Sequence, residues 1–396
     1  MRIVVLGGAG AMAQVIDRDL ARSKPVDEVI VADRDAGRVK QVLQAISSEK
    51  LDGAEIDVTD SPALNRLVRG ADAVINATWY QLNVQVMRAC IEASVHYVDL
   101  GGLYRVTLEQ LKFDGDAKDA GVTCLVGMGS TPGTMNVMAA HAASQMDTIN
   151  RVNLRSAGAI PEMSSWTGFV PPYSIRTILD EFSLPVPVLR DGKIQEIPPA
   201  SARVRFSMPE PVGEVGGLLT IHSELATLPH TLGKGVREMD FAVAFDPEFT
   251  RILETLVRLG LADREPMEFR GQKIVPYEFV AAVIDRLPKP SEEPPDVDIQ
   301  RCEVLGSKGG EPARVVLDCI SRPRKEWGVG GGTVGTGTPP SIAAQWLASG
   351  RIAEQGVVPP EVAVEPLPFF AELRADRRGI EVYEQIGGGP GRVLSG

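Results

Sequence analysis

The chain has 396 residues, 44% of them hydrophobic and 23% charged, with a formal net charge of −11. That length predicts two or three domains with a sizeable core, and the charge argues against nucleic acid or an anionic membrane as a partner. Cys90, Cys124, Cys302 and Cys319 form no C-x-x-C pair, and the four histidines form no H-E-x-x-H motif. Free buried thiols in a reducing cytoplasm, and no metal site, are therefore expected.

In chain order, the first apolar run, 2–6, reads as a strand that glycines break at once, so it is not a signal peptide. No later run approaches the roughly 18 apolar residues of a membrane span. Strands at 2–6, 28–32, 54–57, 71–75, 96–100 and 122–126 alternate with helices at 11–23, 35–48, 61–69 and 83–93. This alternation predicts parallel β-α-β units, and runs such as Ile-Val-Val-Leu predict strands buried on both faces. Beyond about residue 140 the pattern changes. Segments 151–155, 203–206, 240–245 and 314–320 alternate or are rich in β-formers, which predicts a mixed or antiparallel sheet. A Pro/Glu-rich stretch, 288–298, reads as a loop. Glycine-rich 328–337 leads through Pro339-Pro340 into an apolar helix at 341–349, and 387–396 reads as a mobile tail.

The strongest motif is Gly8-Ala-Gly10-Ala11-Met12-Ala13, directly after the first strand. Gly8 permits the tight turn, Gly10 lets backbone approach a pyrophosphate, and Ala13 lets helix and strand pack closely; helix-start amides then face the phosphates. Asp33 ends the second strand, where a carboxylate accepts from adenosine ribose hydroxyls and favours NAD over NADP. Arg34 follows at once and is able to bind a 2′-phosphate instead. The fold class is thus α/β: an N-terminal Rossmann dinucleotide-binding domain (1–137), a second α/β domain on a mixed or antiparallel sheet (138–335), and a C-terminal return (336–386) packing on the first domain.

Ligands bind beyond the carboxyl ends of such strands. Asp57 there meets either the adenine edge or only its own turn. Asn76-Ala77-Thr78 passes the central riboses. Three segments frame the reacting centre: Thr78 to Asn83 with Tyr80, Asp99 to Gly102 with Gly101, and Gly129 to Asn136. In the last, Pro132 suits the first turn of a helix, and Thr131 and Asn136 either serve a ligand or cap that helix. Thr220 to His230 groups two histidines with a glutamate. On a strand, His222 and Glu224 share a face, fit either to take a proton from a substrate ammonium or to line an exposed sheet. Tyr173 and Arg176 offer a substrate carboxylate a hydroxyl and a fork; a surface salt bridge explains Arg176 equally well.

These residues resemble the saccharopine dehydrogenase-like oxidoreductases. The likeness rests on Gly8-Ala-Gly10, Ala32-Asp33, Asn76-Ala77 with Tyr80-Gln81-x-Asn83, Val95-His96-x-Val98-Asp99-Leu-Gly-Gly102 and Pro132-Gly133-x-x-Asn136. It continues through Ala143 to Asp147 and Arg190-Asp-Gly192-Lys to Pro359-Pro360-Glu361. Within that group the chain is most similar to L-lysine 6-dehydrogenases, although the run after His222 departs from their pattern. The resemblance implies a capping second domain that mediates homodimer or homotetramer formation, a small amine or amino acid substrate, and NAD as cofactor. It also implies oxidation at a carbon bearing nitrogen, with the ε-carbon of L-lysine giving a semialdehyde that cyclises. The nicotinamide is then expected near Tyr80, Gly101 and Asn136, and His222, Glu224 and Tyr80 form the catalytic set. Two alternatives remain: a saccharopine or carboxynorspermidine reductase type of secondary-amine enzyme, and a non-catalytic NAD-binding sensor.

Overall fold

The first lobe is laid down by strands that are apolar on both faces. β1 (Arg2–Leu6), β2 (Glu28–Asp33), β3 (Leu51–Glu55), β4 (Ala73–Asn76), β5 (His96–Asp99) and β6 (Thr123–Leu125) alternate with α1 (Ala13–Arg22), α2 (Ala36–Ile46), α3 (Ser61–Val68), α4 (Asn83–Glu92), α5 (Leu103–Leu111) and α6 (Asp114–Asp119). Val4, Val74, Val5 and Ile75 are fully buried on opposite faces of the sheet, as runs without alternation require. The computed structural model describes residues 1–160, 169–288, 292–389 and 391–394. Part of the 288–298 loop and of the 387–396 tail lies outside them.

The chain then enters the second lobe through α7 (Thr134–Ser144), β7 (Thr148–Ala159) and α8 (Ile175–Ser183). β8 (Val186–Arg190), β9 (Lys193–Ile197), β10 (Arg203–Ser207), β11 (Glu214–Leu219), α9 (Glu224–Thr231), β12 (Glu238–Ala244) and α10 (Pro247–Arg258) follow. A hairpin, β13 (Met267–Phe269) and β14 (Gln272–Ile274), leads into α11 (Pro276–Asp285), then β15 (Val297–Lys308) and β16 (Glu311–Ser321). The last elements are α12 (Gly331–Ala348), β17 (Gly356–Val358), α13 (Pro360–Ala363), α14 (Pro366–Arg374), β18 (Glu381–Ile386) and β19 (Arg392–Val393).

The first sheet is parallel in the order β17-β6-β5-β4-β1-β2-β3, the order of a Rossmann domain with one added strand. The second runs β10-β11-β12-β7-β15-β16-β18-β19, with β8 and β9 paired off β12. It is mixed, because β12 and β7 are parallel while the pairs β10–β11, β15–β7 and β15–β16 are antiparallel. Residues after 336 serve both sheets: β17 joins the first, and β18 and β19 join the second. The final residues include a short strand, with Leu394 N–H donating to Val382 O at 2.8 Å, where a mobile tail was expected.

Two further differences from the sequence reading have local causes. β3 begins at Leu51, earlier than 54–57, because it pairs with β2 from Val29 onward. The glycine-rich run is itself helical: α12 starts at Gly331 and continues through Pro339 and Pro340. Its glycines are needed for contact, since a β-carbon on Gly337 would lie 2.6 Å from Met12 O and one on Gly331 2.4 Å from Ser321 O. Beyond the prolines, Ser341 donates to Asp19 of α1 at 2.6 Å, and Arg378 holds the same carboxylate at 2.9 and 3.0 Å. The four cysteines are buried and free. Among the described residues no helix is long and apolar enough to cross a membrane.

Candidate active site

The glycine turn between β1 and α1 is built for close approach. A β-carbon on Gly8 would meet Val31 Cγ1 at 2.8 Å, and one on Gly10 would meet Gly7 O at 3.0 Å. Gly7, which the sequence reading passed over, has φ +71° and presses within 2.7 Å of Ala77 O by the same measure. The N–H groups of Ala11, Met12 and Ala13 find no acceptor among the described residues, and α1 begins at that point. Three free amides on a bare turn at a helix start fit a pyrophosphate. Asp33 lies beside them, its Oδ2 accepting from Ala9 N–H at 3.3 Å. Arg34 is exposed, and Arg38, which was not singled out from the sequence, donates to Ala9 O at 2.6 Å. Asp57 is exposed and closes its own turn onto Thr59 at 2.7 and 2.9 Å, contacts that lower its pKa.

Behind the turn, buried polar groups fix the strand ends. Asn76 donates to Asn83 at 2.9 Å and accepts from the Thr78 hydroxyl at 2.6 Å, so its side chain shapes the loop while Ala77 N–H is held by Leu6 O. Asp99 is fully buried. Its Oδ1 accepts from Gly101 and Gly127 N–H, both at 2.8 Å, and its Oδ2 accepts from Tyr97 OH at 2.8 Å and Gln110 Nε2 at 2.6 Å. These bonds hold Gly101 at φ +121°, where a β-carbon would be 2.7 Å from the Pro132 ring and 3.6 Å from Ser223 Oγ. The second lobe therefore meets the carboxyl end of β5 at Ser223.

The segment around Ser223 is not a strand. β11 stops at Leu219, Thr220–Ser223 is a loop, and Glu224 opens α9. His222 and Glu224 meet all the same, through a close Nδ1–Oε2 contact, with the imidazole stacked on Phe241 at 3.8 Å between centroids. Burial works against the charged imidazole, but the Glu224 and Glu181 carboxylates outweigh it and hold its pKa above the usual value. Glu181, absent from the sequence expectations, is buried on α8 and accepts from Tyr173 OH at 2.6 Å. Burial pushes its carboxyl up to about 7, against the pull of His222 and the Tyr173 hydroxyl. Ser223 Oγ, Thr220 Oγ1 and Glu224 Oε1 are buried with no partner among the described residues.

Tyr80 bridges the lobes. It packs with Leu103 and Ile221, and its hydroxyl donates to Asp180 of α8 at 2.5 Å. Asp180 also binds Arg264, whose guanidinium lies 4.4 Å from the Tyr277 ring. Burial and the Asp180 charge push the Tyr80 hydroxyl far above its ordinary pKa, so it serves as a donor rather than a base.

Two expected residues are occupied elsewhere. Arg176 is tied to Glu278 at 3.0 Å and Asp285 at 3.2 Å, so the surface-pair reading holds and its fork is spent. Asn136 accepts from Gly133 N–H at 3.1 Å and donates to Glu361 at 2.8 Å, a capping role that locks α7 to α13. Pro132 precedes the helix instead of opening it, because α7 begins at Thr134 and Gly133 takes the cap with φ 121°. Thr131, before Pro132, lies in the turn that leads into α7.

Residues 3–125 match the profile of the saccharopine dehydrogenase NADP binding domain, and residues 129–380 that of the saccharopine dehydrogenase C-terminal domain. Carboxyaminopropylagmatine dehydrogenase of a Synechocystis strain is 26% identical over 98% of both chains. Carboxynorspermidine synthase of Vibrio cholerae is 24% identical over 97% of both. Among solved structures, the L-Glu-forming saccharopine dehydrogenase of Saccharomyces cerevisiae superposes with a TM-score of 0.76 at 17% identity, covering 98% of this chain and 100% of that one. The homospermidine synthase of Legionella pneumophila, solved with NAD, reaches 0.67 at 14% identity, covering 97% and 91%. With both lobes matched by its domain profiles, the chain belongs to the saccharopine dehydrogenase family.

Proposed function

We propose that this protein is a nicotinamide-dependent oxidoreductase acting at a carbon–nitrogen bond of a small amine. The observation that carries this reading is the placement of Ser223, flanked by the His222–Glu224 pair, against Gly101 at the end of β5. Oxidation of an amine removes a hydride from carbon and a proton from nitrogen, leaving C=N; reduction adds both. A bound nicotinamide supplies the hydride acceptor or donor. The chain's own residues handle the proton. Glu224 orients the imidazole through Nδ1, leaving Nε2 for a substrate nitrogen, and Glu181 beside it is poised to exchange a proton near neutral pH.

The lining favours a substrate with more than one ammonium group. Glu181, Glu224 and, beyond Tyr173, Asp298 have no lysine or arginine within ion-pair distance among the described residues. Burial with the nearby Asp296 charge pushes the Asp298 carboxyl up to about 7. Cationic substrate groups would relieve that cost. This fits a secondary-amine reaction on the kind of compound that the carboxyaminopropylagmatine and carboxynorspermidine relatives are named for, and it fits L-lysine, which also carries two ammonium groups. L-lysine is kept as the second reading on the resemblance of its motifs. The Asp33 carboxylate beside Ala9 supports NAD, and Arg38 beside the same turn offers a 2′-phosphate its charge. The test follows the absorbance of reduced nicotinamide with both dinucleotides. Substrates are carboxyalkylated polyamines, saccharopine and L-lysine for oxidation, and aldehyde plus amine pairs for reduction. No change with any of them, in either direction, would sink the proposal.

A further inference from the structure

Away from the cleft, three guanidiniums gather around one indole ring. The central carbons of Arg18, Arg22 and Arg324 lie 6.0, 4.9 and 5.8 Å from the centre of the Trp327 ring. Arg18 and Arg22 stand one turn apart on α1, and Trp327 ends the short 3-10 turn Lys325–Trp327 on the crossing from β16 to α12. The end of α2 closes a cavity of about 290 Å³ between them, lined by both α1 arginines, Ser48, Glu326 and Trp327. Such a volume is at the lower end for ligand sites, room for a phosphate with a few carbons and too little for a dinucleotide. Arg22 is the last residue of α1, roughly 14 Å along the helix axis from the glycine turn, so this cavity is separate from the turn that fits a pyrophosphate.

In a chain of net charge −11, this cluster is short of negative charge. Among the described residues neither Arg18 nor Arg22 has a carboxylate within ion-pair distance, and Arg324 has Glu326 at 3.7 Å. Asp19 is on the same helix but is spent on Ser341, Arg377 and Arg378. Asp17 is fully buried, and burial raises its carboxyl well above the carboxylate range, so it offsets little. Residues 161–168 and 289–291 hold one acid, Glu162, and one base, Lys289, which leaves the balance as it is. Three guanidiniums against the Glu326 carboxylate leave two positive charges uncompensated. They repel at this range, and burial together with the Arg22 charge lowers the pKa of Arg18. We propose that the cavity is a site for a dianionic phosphate group, carried by free phosphate or by a small phosphate monoester. Its two negative charges match the two left over, each α1 guanidinium offers a fork to phosphate oxygens, and the Ser48 hydroxyl adds a donor. A bound phosphate fastens α1 and the end of α2 to the crossing between the lobes. The inference is independent of the reaction proposed above.

Isothermal titration of the full chain tests it, with inorganic phosphate and glycerol 3-phosphate as probes at constant ionic strength. At least one probe should bind with a dissociation constant of about 1 mM or tighter, and the tighter of the two names the source of the group. Arg18→Ala and Arg22→Ala should each weaken that binding at least about tenfold, with unchanged circular dichroism. Arg66→Ala, at an exposed position on α3, should leave it intact. For a variant that misfolds, wild type decides instead: the probe should slow phenylglyoxal labelling of Arg18 and Arg22, read by mass spectrometry, and not that of Arg66. No binding of either probe at about 10 mM overturns the proposal. So does a folded Arg18→Ala or Arg22→Ala protein that binds as wild type does, an equal loss in Arg66→Ala, or labelling of Arg18 and Arg22 that the probe does not slow.

Discussion

Replacing Asp99 by alanine and by asparagine should give two very different proteins. In the alanine variant, the Gly101 and Gly127 N–H groups, each bonded to Oδ1 at 2.8 Å, lose their acceptor in a site closed to water. Each orphaned donor costs about 1–3 kcal/mol, and neither backbone amide can turn elsewhere. The other two donors adjust. Tyr97 OH already lies 3.4 Å from Asn83 O, and the Gln110 amide can flip. The expected loss for Asp99→Ala is therefore about 3–5 kcal/mol. Asparagine keeps one oxygen for both amides, and its Nδ2 then donates to Gln110 Oε1, which has no partner in the native state. It also removes a buried charge whose desolvation raises the Asp99 pKa. The expected loss for Asp99→Asn is about 1 kcal/mol or less. Urea unfolding of the three proteins at neutral pH, read as midpoint and slope, decides the matter. If asparagine costs as much as alanine, or alanine costs under about 1 kcal/mol, Asp99 does not hold the Gly101 turn in this way.

Glu181→Gln tests the buried carboxyl. Between pH 4.5 and about 7 the folded state keeps a proton that the unfolded chain has released, so native stability falls as pH rises through that window. The variant should therefore melt higher than wild type at pH 8 and match it at pH 4.5; equal melting temperatures at pH 8 would count against the buried acid. Arg176→Ala should cost about 1 kcal/mol or less and leave KM for the amine unchanged, because the guanidinium is spent on Glu278 and Asp285; a large rise in KM would restore it to the substrate site. Gly101→Ala combines a strained φ with a clash on Pro132. It should destabilise by at least about 2 kcal/mol and weaken dinucleotide binding, as titration of cofactor fluorescence would show.

The first sheet was readable because its strands are continuous apolar runs and its turn carries glycines where backbone must pass backbone. The second lobe was readable only as a change of pattern, since its pairings join strands far apart in sequence, β7 with β15 and β12. α12 was hidden by its composition: glycine and proline normally punctuate, yet here glycines admit Met12 and Ser321 at contact distance. His222 and Glu224 were legible as a pair for the wrong geometric reason. A strand would align them by its two-residue period, whereas the chain joins them across a loop and a helix start. Glu181 and Asp180 left a fainter signal. Glu181 follows Ile178 by three residues, which places an acid on the apolar stripe of α8. Arg176 and Asn136 stayed between two readings in the sequence, because sequence shows what a side chain can bind but not which neighbour reaches it first.

The path of the chain after α12 has a mechanical result. The polypeptide leaves the first lobe after β6, builds most of the second, returns as α12 and β17, and crosses again to finish with β18 and β19. Three crossings mean that no single cut frees either lobe, and that neither can be expressed as a simple truncation. α12 lies parallel to α1, pinned by Asp19 to Ser341 and Arg378, and one apolar cluster runs from Ile3 and Val5 through Val334 and Ile342 to Leu317 and Cys319. With the lobes tied along this shared spine, unfolding should proceed as one event across both of them.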